Sequence, residues 1–214
     1  MHARKIRCPF GVFHVTAEPE LRSLLSEICC LNVFMGEYEF DRQPIESEIR
    51  TVLDIGCNVG AFVAWASDRW PLIERIDAYD PNSNALAFAA LNAVGCHIYC
   101  AEFHHAAVSV DPAPLFKEHT DWGGSRTHGE TSGTAVPSIH PKHLPPADVV
   151  KCDCEGPDGD IFENYPHWPS VKVAIFEYHT TDDRRRMVHV VSNSGMRMVR
   201  CTGEERQGVE IWSR

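Results

Sequence analysis

The chain has 214 residues, 43% of them apolar, and a formal net charge of −10. That size and apolar content suit one globular domain with its own core, and the acidic balance disfavours broad, sequence-independent nucleic-acid binding, which normally needs a basic face. No apolar run approaches the roughly 18 residues of a membrane span, and the basic start Met1–Arg7 is not followed by the apolar stretch of a secretory signal, so a cytoplasmic protein is expected.

Residues 1–50 read as an extension or cap ahead of the main domain, residues 51–214. Within the extension, Val12–Val15 has strand character. Pro19–Cys30 predicts a helix with Leu21, Leu24, Leu25 and Ile28 on one face. From Thr51 a regular alternation begins: strand Val52–Ile55, helix Ala61–Arg69, strand Arg75–Tyr79, helix Asn82–Val94, strand His97–Phe103. Later come apolar strands at Asp148–Cys152 and Val171–Phe176, a helix at Asp182–Ser192 capped by Gly195, and a closing hairpin of Met196–Cys201 and Val209–Trp212. Strands alternating with helices imply a parallel sheet covered on both faces. The fold class is therefore α/β, a Rossmann-like seven-stranded sheet with one antiparallel strand from the terminal hairpin, a layout that resembles that of the class I methyltransferases. The Pro- and Gly-rich segment Asp111–Pro146 replaces the helix expected before the fourth strand, and reads as a substrate lid or a mobile loop, with Trp122–His128 a candidate to close over the acceptor.

Nine cysteines, Cys8, Cys29, Cys30, Cys57, Cys96, Cys100, Cys152, Cys154 and Cys201, contain no CxxC pair, and the His140/His143 pair has no cysteine pair nearby. Zinc sites draw on closely paired ligands, so these read as reduced, small apolar side chains, with no metal site expected.

Three strand ends carry chemistry. At the first, Asp54-Ile55-Gly56-Cys57-Asn58-Val59-Gly60 is a strand–turn–helix junction. A dinucleotide site wants G-x-G-x-x-G for its pyrophosphate; here Asn58 stands where the second glycine belongs, and no phosphate loop follows. S-adenosylmethionine (SAM) has no phosphate but carries an ammonium and a carboxylate, which Asp54 and the local backbone N–H groups suit. At the second, Asp80-Pro81-Asn82 sets an acid where it can accept two ribose hydroxyls; its alternative is a helix start capped by Asn82 or Ser83. At the third, Lys151-Cys152-Asp153-Cys154-Glu155-Gly156 offers two carboxylates as general base, substrate acceptor or cation holder, although Glu155 can equally just hold the turn before a helix begun at Asp158 or Asp160. Past the next strand, Phe176-Glu177-Tyr178-His179 offers His179 as base, metal ligand or plain rim residue.

In this order, with Ala106-Ala107-Val108-Ser109 between, these motifs resemble the FkbM-type SAM-dependent methyltransferases over roughly residues 50–200. The resemblance implies that Asp54, Gly56, Asn58, Gly60 and Asp80 line the cofactor site, that Ala106 and Ala107 lie near the adenine, and that Asp153 and Glu155 face the reaction centre. Cys57, Pro81 and Asn82 complete the candidate cofactor set, and Asp153, Glu155 and His179 the catalytic one. Cys57 departs from the small residue usual there. The implied activity is O-methylation of a small molecule, sugar or natural product. Either Asp153 or His179 serves as base, and Glu155 positions substrate or a divalent cation. Competing readings are a ribose or base methyltransferase, suggested by Lys151, Asp153 and Glu177 but opposed by the acidic charge, and a SAM-binding protein without catalysis. The acceptor and the oligomeric state are not legible.

Overall fold

The computed structural model describes residues 3–8, 11–16, 48–116, 133–154 and 158–214. The expected helix at Pro19–Cys30, the Trp122–His128 segment and Glu155 fall outside the described residues. In chain order the elements are β1 (Ala3–Cys8), β2 (Gly11–Thr16), β3 (Thr51–Ile55), α1 (Ala61–Arg69), β4 (Arg75–Asp80), α2 (Ser83–Gly95), β5 (Ala101–His105), β6 (Ala107–Val108), β7 (Leu115–Phe116), β8 (Thr134–Ala135), β9 (Ser138–Ile139), β10 (Val149–Cys152), α3 (Asp158–Asn164), β11 (Val173–Tyr178), α4 (Thr181–Asn193), β12 (Arg197–Gly203) and β13 (Gly208–Ser213).

Among the described residues seven strands form one sheet in the order β5-β4-β3-β10-β11-β13-β12. Every neighbouring pair from β5 to β11 is parallel, and β13 runs antiparallel to both β11 and β12. The sequence-level fold class therefore holds, closing hairpin included.

Alternation along each strand divides the core into two layers. Val52, Ile76, Val149, Val173 and Ile175 pack with Phe62, Trp65, Leu86 and Phe88 of α1 and α2. Leu53, Ile55, Val150, Ala174 and Phe176 pack with Ile161, Phe162, Met187 and Val191 of α3 and α4. Because β3, β10 and β11 bury both faces, they read as nearly unbroken apolar runs. Among the described residues no helix is long and apolar enough to cross a membrane.

The structure departs from the sequence reading in three places. The third strand begins at Ala101 rather than His97, because residues 96–98 finish α2. Ile98 N–H bonds Ala93 O at 2.8 Å and His97 N–H bonds Val94 O at 3.1 Å, a Schellman closure with His97 in the left-handed region at φ 59°. The long loop is also not structureless at its ends: β7 pairs with β8, and β9 runs parallel to β6. Finally, the strand at Val12–Val15 is half of a hairpin with β1.

That hairpin docks on α2 through Asn92, which is buried. Its Oδ1 accepts from His14 N–H at 2.6 Å, and its Nδ2 donates to His14 O at 2.8 Å and to Val59 O at 2.9 Å. One amide thus ties the N-terminal hairpin to the loop after β3. Truncation leaves buried backbone groups without partners, so Asn92→Ala is expected to cost about 2–4 kcal/mol, read as a lower midpoint in urea unfolding.

Candidate active site

Strand order reverses between β3 and β10, and in such sheets ligands bind beyond the carboxyl ends of the strands at that point. The candidate residues collect there. Reading across the sheet, β4 ends in Asp80, β3 runs into the Gly56–Gly60 loop, β10 ends beside Asp153, and β11 carries Glu177 with His179 just beyond.

The loop after β3 is shaped by three left-handed residues, Gly56 (φ 78°), Asn58 (φ 48°) and Gly60 (φ 82°). Gly56 and Cys57 both donate N–H to Tyr79 O, at 2.9 and 3.1 Å, which extends the β3–β4 pairing into the turn. A Cβ on Gly56 would lie 1.8 Å from Asp153 O, so this glycine is required by the neighbouring chain. At Gly60 a Cβ would meet Ala89 of α2 at 3.2 Å, which is the close helix approach expected of it. Asn58 answers why a second glycine is dispensable: asparagine tolerates the left-handed region better than other side-chain-bearing residues. Cys57 is buried in the same core cluster as Val59 and Phe62, and burial pushes its thiol well up from its ordinary range.

Beneath the loop lies a buried ion pair. Lys151 sits directly opposite Asp54 in the β3–β10 register. The Asp54 side chain is 0% exposed and that of Lys151 4%, with Nζ 3.3 Å from Asp54 Oδ1. The same Nζ donates to Gly56 O at 2.6 Å and stands 3.7 Å from Asp153 Oδ2. Burial raises the Asp54 carboxyl, against the opposing pull of Lys151. Sequence reasoning set Asp54 against the ligand; the structure encloses it, and Lys151 links it to both the loop and Asp153. Lys151 was absent from the candidate site set. Its signal was a lone lysine in the apolar run Val149-Val150-Lys151-Cys152.

Asp80 is buried and clamps two segments. Its Oδ2 accepts Asn58 N–H and its Oδ1 accepts Asn82 N–H, both at 2.8 Å. Burial pushes its carboxyl up to about 6, tempered by those two bonds. The Asn82 side chain caps α2, accepting from Asn84 and Ala85 N–H at 3.0 and 3.2 Å. Pro81 offers its carbonyl to His105 Nε2 at 3.0 Å. Ala106 and Ala107 follow β5, next to β4; Ala107 is buried and bonds Pro137 O at 2.8 Å.

On the other side of the loop, Asp153 is 27% and His179 17% exposed at the side chain, with Nε2 3.7 Å from Asp153 Oδ1. Burial works to raise the Asp153 carboxyl, but Lys151 and His179 outweigh it and hold it below the usual carboxylate range. Glu177 joins this cluster: its carboxylate, Asp153 and His179 have ligand atoms within 4.8 Å of one another, and Gln207 Nε2 reaches Glu177 Oε1 at 3.5 Å.

No family model matches the chain, and no curated protein matches it. Solved structures do. Precorrin-6y C5,15-methyltransferase from Geobacter metallireducens superposes with a TM-score of 0.51 at 15% identity, over 94% of this chain and 93% of that one. An O-methyltransferase family protein from Burkholderia thailandensis gives 0.52 at 15% identity, over 91% and 57%. The apo form of the S-adenosylmethionine-dependent methyltransferase SibL gives 0.51 at 14% identity, over 94% and 60%. The chain has the fold of class I SAM-dependent methyltransferases.

The residues present fit that cofactor. Both Asp80 oxygens keep a lone pair after their backbone bonds, enough for two hydroxyls. The α1 N-terminus has no side-chain cap and no acid in its first turn, which leaves backbone donors and the helix dipole for a carboxylate.

Removing one member of the buried pair strands the other. Lys151→Met is expected to destabilise the fold by about 3–5 kcal/mol in denaturant unfolding, and Lys151→Met with Asp54→Asn to recover part of that loss. Gly56→Ala, which drives a methyl into Asp153 O, is expected to give little soluble folded protein, as judged by circular dichroism and yield.

Proposed function

We propose that this protein is a SAM-dependent methyltransferase of the FkbM type that methylates a hydroxyl on a small molecule, sugar or natural product. The observation that carries the reading is the Asp80 clamp: a buried carboxylate joining the β3 loop to the start of α2 at the switch point, with one lone pair on each oxygen facing no backbone donor. SAM supplies an electrophilic methyl on a sulfonium, and the chain's task is to hold and orient two partners and keep water out.

Asp80 holds the ribose hydroxyls, and the α1 N-terminus takes the carboxylate of the amino-acid moiety. Ala106 and Ala107, beyond β5, border the adenine. Asp54 acts through Lys151, fixing the Gly56 carbonyl and Asp153 rather than meeting the ligand. The acceptor's hydroxyl approaches from the β10–β11 side, over Asp153 and His179. Asp153, ionised and weakly basic, orients that hydroxyl or holds a cation better than it removes a proton. Glu155 belongs to the same loop by sequence.

A small acceptor is favoured over nucleic acid by how the arginine run Arg184-Arg185-Arg186 is paired. Arg184 pairs with Glu210 at 2.7 Å, Arg185 with Asp182 at 2.7 Å, and Arg186 with Glu163 at 2.6 Å and also with Asp160. Arg184 and Arg186 are held by carboxylates of the protein, and Arg185 forms an exposed pair with Asp182, so the run presents no net basic patch to a phosphate backbone.

Calorimetric titration with SAM tests the reading. Wild-type protein is expected to bind, and Asp80→Ala to weaken binding at least about tenfold, given two charge-assisted bonds lost; no binding, or binding untouched by Asp80→Ala, overturns it. Hydroxyls donate to the ionised carboxylate, so affinity is expected to rise as pH increases through about 6 and to level off above. Binding near that pH releases a proton, because the ligand favours the charged form. The Asp80→Ala variant is expected to lose this pH dependence.

A further inference from the structure

Among the described residues three clusters of possible metal ligands occur. In the first, Cys152, Cys154 and Asp158, the acid already accepts Cys154 N–H at 2.9 Å and the Cys152 thiol at 3.2 Å, and burial pushes the Cys152 thiol well up. That group is a satisfied, enclosed turn. In the second, Asp77, Glu102 and His104, Arg75 Nε pairs with Asp77 Oδ2 at 2.8 Å and Glu102 lies exposed on the edge strand β5, away from the switch point.

The third is different. Asp153, Glu177 and His179 come from the ends of two adjacent parallel strands, so rigid elements set their spacing. All three are part-buried residues at the carboxyl end of the sheet, and His179 Nε2 is itself a buried atom. The two Asp153 oxygens face different ways: Oδ2 toward Lys151, Oδ1 toward His179 Nε2. The 3.7 Å between Oδ1 and Nε2 is longer than a hydrogen bond. It matches the roughly 3–4 Å that separates two ligands of one ion bound at about 2.1–2.3 Å. Two carboxylates and one imidazole on one side of an ion leave its opposite positions open.

We infer that Asp153, Glu177 and His179 form a divalent-cation site, with the open coordination positions facing the acceptor. Two carboxylates beside one imidazole suit a hard to borderline ion such as Mn²⁺ or Mg²⁺. Lys151 does not compete for the site: its ammonium takes the Asp153 oxygen turned away from it and is otherwise bonded to Asp54 and Gly56. His179 would then be a ligand rather than a base, and an ion held there would lower the pKa of the acceptor's hydroxyl, whose proton would pass to solvent. The inference rests on the methyltransferase reading for what the ion serves, but not for whether it binds.

Mn²⁺ titration followed by electron paramagnetic resonance, with and without SAM, tests it on the full chain. One Mn²⁺ per chain is expected, with affinity lowered at least about tenfold in Glu177→Gln and in His179→Gln, while both variants keep wild-type SAM binding in calorimetry. Absence of a stoichiometric Mn²⁺ site, or affinity unchanged in both variants, overturns the inference. SAM bound without Mn²⁺ overturns the cation site and leaves the methyltransferase reading standing; Mn²⁺ bound at these residues without SAM does the reverse.

Discussion

A lysine and an aspartate buried face to face between β3 and β10 organise the working end of this molecule. Neither charge is cheap to enclose, and Asp54 shows the strain in a carboxyl raised by burial against the pull of its partner. A buried pair of this kind contributes little net stability over an apolar substitute. Its value lies in geometry. One ammonium reaches Asp54, the Gly56 carbonyl and Asp153 at once, so the two strands that diverge at the switch point are fixed to each other where their loops part. The Gly56 turn presses on Asp153 O so closely that no Cβ fits, and that contact is held in register by the same lysine.

From this centre the sheet divides its work. Toward β4 and β5 lie Asp80, the α1 N-terminus and Ala106–Ala107, which bring a buried carboxylate, backbone donors and small apolar side chains to one side. Toward β11 lie Asp153, Glu177 and His179, part-exposed and rich in ligand atoms. The closing hairpin contributes to the second side through Gln207, and the N-terminal hairpin braces the first through Asn92 and Val59. Segments far apart in the chain therefore support opposite edges of one cleft.

The two acid-bearing turns differ in how their charge is managed. Asp80 keeps two backbone N–H bonds and a raised carboxyl near 6. Asp153 is held low by a lysine and a histidine. Asp80 is thus sensitive to mild acid, and Asp153 stays ionised through it.

Much of the fold was legible because its signals are local. Apolar runs of strand length, helix starts at Ala61 and Ser83, and the turn before β13 follow from periodicity and turn chemistry within a few residues. Acids at strand ends, Asp80 and Asp153 among them, were legible for the same reason. The misplaced start of β5 shows the limit: His97-Ile98-Tyr99-Cys100 has strand composition, but its N–H groups close α2, and composition does not register that competition. Nor could sequence show that Cys57 is buried in the core, that Asp54 is sealed from the cleft, or that Glu177 stands beside His179 and Asp153. By itself the sequence determined which residues end strands and which turns carry glycine or its asparagine substitute. Only the tertiary structure decided which of those ends meet, because the register that sets Lys151 opposite Asp54 is made between strands nearly a hundred residues apart, where no local pattern reaches.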